Sequence, residues 1–204
     1  MAITLDGTTG ITTPGVVNTA AETIATTLAV TGAVTLSSTL KTATTIGVGA
    51  ATPSASGAGI TFPASQSAST DAQTLDDYEE GVWTPSLGGN TTYNFRFGKY
   101  TKVGRNVTIE FGFQVNTLGT GSATEISGLP FSAFTTDGSE IYGFTVAYLV
   151  NSATNVTSAT GYNGGGTTII FSTTASAVSS FSVNTIVFQA NARVHMSGTY
   201  FTTT

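Results

Sequence analysis

The clearest pattern in the chain is a strict alternation from Asn106 to Val115, NVTIEFGFQV. It sets Val107, Ile109, Phe111, Phe113 and Val115 against Thr108, Glu110, Gly112 and Gln114. Successive side chains of a strand point to opposite faces, so a period of two marks a half-buried β-strand, and the five apolar residues are the expected core. Further runs rich in aromatic and β-branched residues are Tyr93 to Phe97, Tyr100 to Val103, Ile141 to Val150, Thr167 to Ser172, Ser182 to Gln189 and Arg193 to Phe201. Gly-Thr-Gly, Asp-Gly, Gly-Gly-Gly and Met-Ser-Gly signals lie between them. Short strands at this spacing predict an all-β fold with a C-terminal β-sandwich, jelly-roll-like in kind.

The N-terminal third alternates more thinly, through Leu28, Val30, Val34, Leu36 and Leu40, with threonine and small residues between. TLAVTGAVTLSSTL nearly repeats at an offset of eight, from Thr27-Leu28 to Thr35-Leu36, around Gly32. Threonine and valine are poor helix formers, which favours strands over a helix here, with a single turn at Ala20 to Ala25 still open. Stripes this thin cannot enclose an interior within one chain. Three identical chains are the simplest source of partners, so the expectation is a fibrous trimeric shaft of extended, interwound strands, packed through those five residues.

Gly47 to Ser69 reads as an irregular connection rich in glycine, serine and alanine. An acidic run follows, with Asp71, Asp76, Asp77, Glu79 and Glu80 and no base among them. The organisation expected is shaft and attachment segment 1–70, acidic linker 71–81 and head 82–204. Trp83 is expected to cap the base of the head's core, with the carboxylates turned to water. Three copies of the run could be bridged by a cation, but it lacks the ligand spacing and glycine of a calcium loop, and no metal or cofactor is expected.

Composition sharpens this picture. Only 8% of residues are charged, against an ordinary share of roughly 25%, and residues 1–70 hold just Asp6, Glu22 and Lys41. The surface must therefore be made largely of hydroxyls, backbone and small side chains. A net charge of −5 argues against a nucleic-acid partner, and Arg96, Lys99, Lys102 and Arg105 read as solvated positions on adjacent strands. No apolar run is long enough for a membrane span, and the first ten residues lack the basic start and apolar stretch of a secretion signal, so membrane insertion is not expected.

Catalysis finds little support. Glu110, Glu125, Asp137 and Glu140 form no recognisable carboxylate pair, His195 is the single histidine, and Gly161 to Thr168 lacks the lysine of a phosphate loop. If the head binds glycans, Tyr93, Tyr142, Tyr148 and Tyr162 are the natural stacking surfaces. A secreted carbohydrate-binding module is a conceivable but disfavoured alternative.

Thr74 to Gly89, TLDDYEEGVWTPSLGG, followed by Phe95 to Val115, FRFGKYTKVGRNVTIEFGFQV, resembles a module of tailed-phage fibre and appendage proteins, cyanophages among them. Ile126 to Phe131, ISGLPF, and Ser197 to Tyr200, SGTY, extend the resemblance, which covers about Gly59 to the C-terminus. Leu5 to Gly15 and the TLAVTGAVTLSSTLKT stretch also look like phage fibre stalks, less specifically. The resemblance implies a homotrimeric, non-enzymatic virion protein made in the host cytoplasm. Its N-terminus would join other virion proteins, and its head would meet a host receptor or polysaccharide. The alternative is a head fibre or capsid decoration protein, kept open because the chain is short for a fibre that must reach a receptor unaided.

Overall fold

The computed structural model describes residues 30–66, 68–71, 73–154, 156, 158–174, 182–183 and 186–203. Leu28 and the Ala20 to Ala25 turn lie outside them. The chain divides into two units, Met1–Lys41 and Thr42–Thr204. In the first, residues 30–41 form no strand, and Val30, Val34, Leu36 and Leu40 are all exposed. The strands expected there are not made within one chain, since a strand needs a neighbour to accept its hydrogen bonds.

The second unit is all-β, and its described residues include no helix. It opens with β1 (Thr45–Gly47) and β2 (Gly59–Thr61), which pair in parallel with Ile46 beside Ile60. The Thr61 hydroxyl, opposite Gly47, donates to that of Thr45, opposite Gly59, along the diagonal of the ladder. The stretch expected to be irregular thus holds a short parallel ladder.

The remaining strands are β3 (Tyr78–Val82), β4 (Thr92–Val103), β5 (Asn106–Thr117), β6 (Glu125–Ser127), β7 (Tyr142–Val150), β8 (Ser158–Asn163), β9 (Thr168–Thr174), β10 (Ser182–Val183) and β11 (Arg193–Phe201). They form one nine-stranded antiparallel sheet, ordered β10-β9-β8-β7-β11-β5-β4-β3, with β6 on β9. The pairing is therefore continuous, where a sandwich would divide it between two sheets. The sheet curls until its ends meet: Ser86, just past β3, exchanges both backbone hydrogen bonds with Ser127 of β6, at 3.0 and 2.8 Å. Curling encloses the core and satisfies edge groups that an open sheet would leave bare.

β4 and β5 make the longest hairpin. Its two-residue turn begins at Gly104, whose φ of +55° is the left-handed value that a primed hairpin turn requires at that position. Sequence patterning places a break at Gly98, yet β4 runs straight through it. The glycine is there for packing, since a Cβ would lie 2.7 Å from both Nε1 and the carbonyl oxygen of Trp83. Trp83 is buried edge-on against Phe111, with ring centroids 5.0 Å apart. Val107, Ile109, Phe113 and Val115 are buried beside them. Phe113 meets Phe188 at 5.4 Å and Phe188 meets Phe171 of β9 at 5.0 Å, so a chain of rings spans the interior from β5 to the far side of the curl. Among the described residues of the expected Ser182 to Gln189 strand, Ser182–Val183 pair with β9. Val187 and Phe188 enter the core from a loop, their amides both held by the Ala123 carbonyl.

The acidic run is not a free linker. Its second half is β3, which pairs along β4, and Asp77 is buried in an ion pair with Lys102. The Lys102 ammonium also reaches Gln66 Oε1 at 3.5 Å and faces the Phe131 ring at 5.5 Å. Lys102, expected among the solvated bases, is instead enclosed. Glu79 accepts the Tyr100 hydroxyl, which with partial burial pushes that phenol up to about 12. Asp76 accepts the Ser69 amide at 2.7 Å. Of the carboxylates expected to face water, Asp71, Glu79 and Glu80 are exposed, whereas Asp77 is buried and ties the segment to β4 through Lys102.

Removing one partner of a buried ion pair strands the other charge. Lys102→Met should therefore cost about 3 to 5 kcal/mol in urea unfolding of the full chain, and Lys102→Met with Asp77→Leu should recover most of it.

Candidate functional site

β4, β5, β11 and β7 lie side by side in that order. With the odd-numbered residues of β5 committed to the core, its even-numbered ones face out, and the register carries the outward rows across the neighbours. Phe95, Phe97, Lys99 and Thr101 of β4 stand opposite Gln114, Gly112, Glu110 and Thr108 of β5. The same β5 residues stand opposite Arg193, His195, Ser197 and Thr199 of β11, and Tyr148 of β7 is opposite His195.

Two irregularities shape this face. Around Asn94 the β4 register shifts, so that Tyr93 turns into the core while Phe95 and Phe97 turn out. Between His195 and Met196 the pairing with β7 also shifts, leaving Ala147 as the extra residue of a bulge. Beside that bulge is a groove of about 550 Å³, lined by Lys99, Thr101, Thr108, Glu110, Ala147 and Ser197 and bounded by His195. Three hydroxyls, one carboxylate and one ammonium thus line a single depression.

An aromatic cluster stands at its His195 end. The imidazole lies 5.7 Å from the Phe97 ring, 5.8 Å from Tyr148 and 6.0 Å from Phe95, centroid to centroid. Gly112 makes this crowding possible, because a Cβ there would fall 2.9 Å from His195 Nδ1 and 3.0 Å from Phe97 Cε1. The Arg193 guanidinium is held between two rings, 5.0 Å from Phe95 and 5.3 Å from Tyr148, and its Nε donates to His195 Nε2 at 3.2 Å. Burial, then the Arg193 charge, holds His195 below the usual histidine range, with Glu110 pulling weakly the other way. Its accepting nitrogen and lowered basicity agree in making the imidazole neutral near pH 7.

Of the four tyrosines put forward as stacking surfaces, Tyr148 alone belongs to this face and is exposed. Tyr93 packs on the core, its hydroxyl accepting the Leu87 amide at 2.6 Å and its ring lying 4.8 Å from the Arg96 guanidinium. Tyr142 also packs on the core and donates to the Phe134 carbonyl at 2.7 Å. Tyr162 is half-buried on β8, opposite Gly143. Phe95, Phe97, Arg193 and His195 escape a search for tyrosines. Extending β11's own alternation outward from Val194 and Met196 finds the last two, whereas the register shift that exposes the phenylalanines leaves no mark in the sequence.

Glu125, Asp137 and Glu140 lie away from the groove lining. Backbone and side-chain hydrogen bonds from Ser139 hold Asp137 below the usual carboxylate range, and hydrogen bonding from Thr136 does the same for Glu140. Among the described residues no group of three or more His, Asp or Glu side chains could hold a metal ion.

An NMR titration of the single histidine should give a midpoint below the ordinary value of about 6.5, and Arg193→Met should raise it. Comparison with protein-family models, with curated proteins and with solved structures finds no match for this chain.

Proposed function

We propose that this chain is a structural protein of a tailed-phage particle, a trimeric tail or baseplate fibre whose head attaches to the host surface without catalysing a reaction. The observation that carries the reading is the set of exposed apolar side chains among the described residues 30–41. Val34 and Leu40 are 61% and 62% exposed in a single chain, with Val30 and Leu36 beside them in sequence and also exposed. Exposed apolar rows of this kind mark contacts with other chains, and sister copies supply matching rows at equal height. The parallel β1–β2 ladder supports the same reading, because in-step parallel pairing suits a stacked shaft.

The resemblance of Thr74 to Val115 to phage appendage modules supplies the biological setting. In this reading the N-terminus joins other virion proteins. The curled sheet serves as the head, and three heads at one tip convert weak contacts into avidity. A head fibre or capsid decoration protein would share the architecture and differ in its place on the particle.

Light scattering of the full-length protein should give three times the 20.7 kDa of one chain, and a monomer would overturn the scheme. Removing residues 1–41 should weaken the trimer. Antibody labelling of imaged particles should mark the tail tip or baseplate; label on the capsid shell would select the decoration role instead.

A further inference from the structure

We propose that the outward face of β4, β5, β11 and β7 is a binding site for an acidic saccharide. The proposal deepens the surface-attachment reading and rests on it for its biological setting, though its chemistry stands on the face itself.

The groove of about 550 Å³ falls within the roughly 300 to 1,000 Å³ of small-ligand sites. Its lining is amphipathic: Thr101, Thr108, Ser197 and Glu110 present hydroxyls and a carboxylate at close spacing, with Ala147 and Met196 among its apolar part. Such groups match the dense donor and acceptor pattern of a polyol. Next to them, Phe97 and Tyr148 flank His195, which is neutral and so adds a third ring without adding charge. Rings of this kind accept the C–H faces of a pyranose, and Tyr148 is 45% exposed although it stands on a crowded strand row.

Charge decides which saccharide. On these outward rows Lys99 and Arg193 accompany the single carboxylate Glu110, and the Thr101 row reaches a second carboxylate, Glu80, one strand further on β3, so the cationic end of the face is the Arg193 end. Arg193 is fixed by two rings and by its single bond to His195 through Nε, which leaves its terminal nitrogens as a rigid fork. A planar fork held in this way fits a carboxylate with two parallel hydrogen bonds.

The test is isothermal titration of the full-length protein with oligogalacturonate and with the same oligomer methyl-esterified, which keeps the rings and hydroxyls but removes the charge. The acid form should bind at least about tenfold more tightly. Arg193→Gln should abolish that preference while leaving residual binding. Tyr148→Ala, checked for an unchanged unfolding midpoint, should weaken both oligomers by about tenfold. Binding of the acid form should also shift the His195 imidazole resonances. Failure to bind either oligomer, or equal binding of both that is untouched by Arg193→Gln, overturns the assignment. Particle labelling reads the place of attachment independently of this titration, so the two proposals fail separately.

Discussion

A strand whose inward side chains are all enclosed must have both edges paired and a second layer over its face, and β5 imposes that demand on the whole head. β4 and β11 supply the edges, and the aromatic chain through Phe113, Phe188 and Phe171 supplies the cover. Once β5 is set, the parity of its neighbours follows. The odd residues build the interior, and the even ones carry their rows onto the outward face where the groove lies. Core and candidate site are thus two readings of a single alternation, and a one-residue slip of β5 would exchange them.

The scarcity of charge gives each ion a position. Lys102 and Asp77 are enclosed together, and Glu79 and Asp76 hold Tyr100 and the Ser69 amide. A buried pair adds little net stability compared with a well-packed apolar pair, but it tolerates no substitute partner. Here it fixes which segment may lie along β4. That is a useful device in a chain whose other contacts are made by interchangeable threonines, serines and valines.

Much of the head could be read from pattern alone. β11 begins and ends where its aromatic and β-branched run does, at Arg193 and Phe201, and the buried face of β5 is the one its alternation names. Legibility fails where a residue serves tertiary packing in place of local conformation. Gly98 resembles a strand break but makes room for an indole. β8, Ser158–Asn163, has small residues and a glycine, Gly161, whose missing Cβ admits the Met196 methyl and Ile169. Acidic residues hide β3 because sequence statistics treat carboxylates as loop residues, whereas an edge strand beside Lys102 can use them. The outward phenylalanines were hidden by the register shift near Asn94, which depends on hydrogen-bond pairing and not on residue type.

The placement of β11 between β5 and β7 bears on how the chain acquires this form. β5 emerges during synthesis with one edge satisfied by β4, but its other edge waits for a strand downstream of every other strand in the sheet. Until β11 arrives, β5 and β7 each present a bare hydrophobic border. The nascent protein therefore cannot settle its sheet in the order in which it is made, and ordering must proceed late and largely at once.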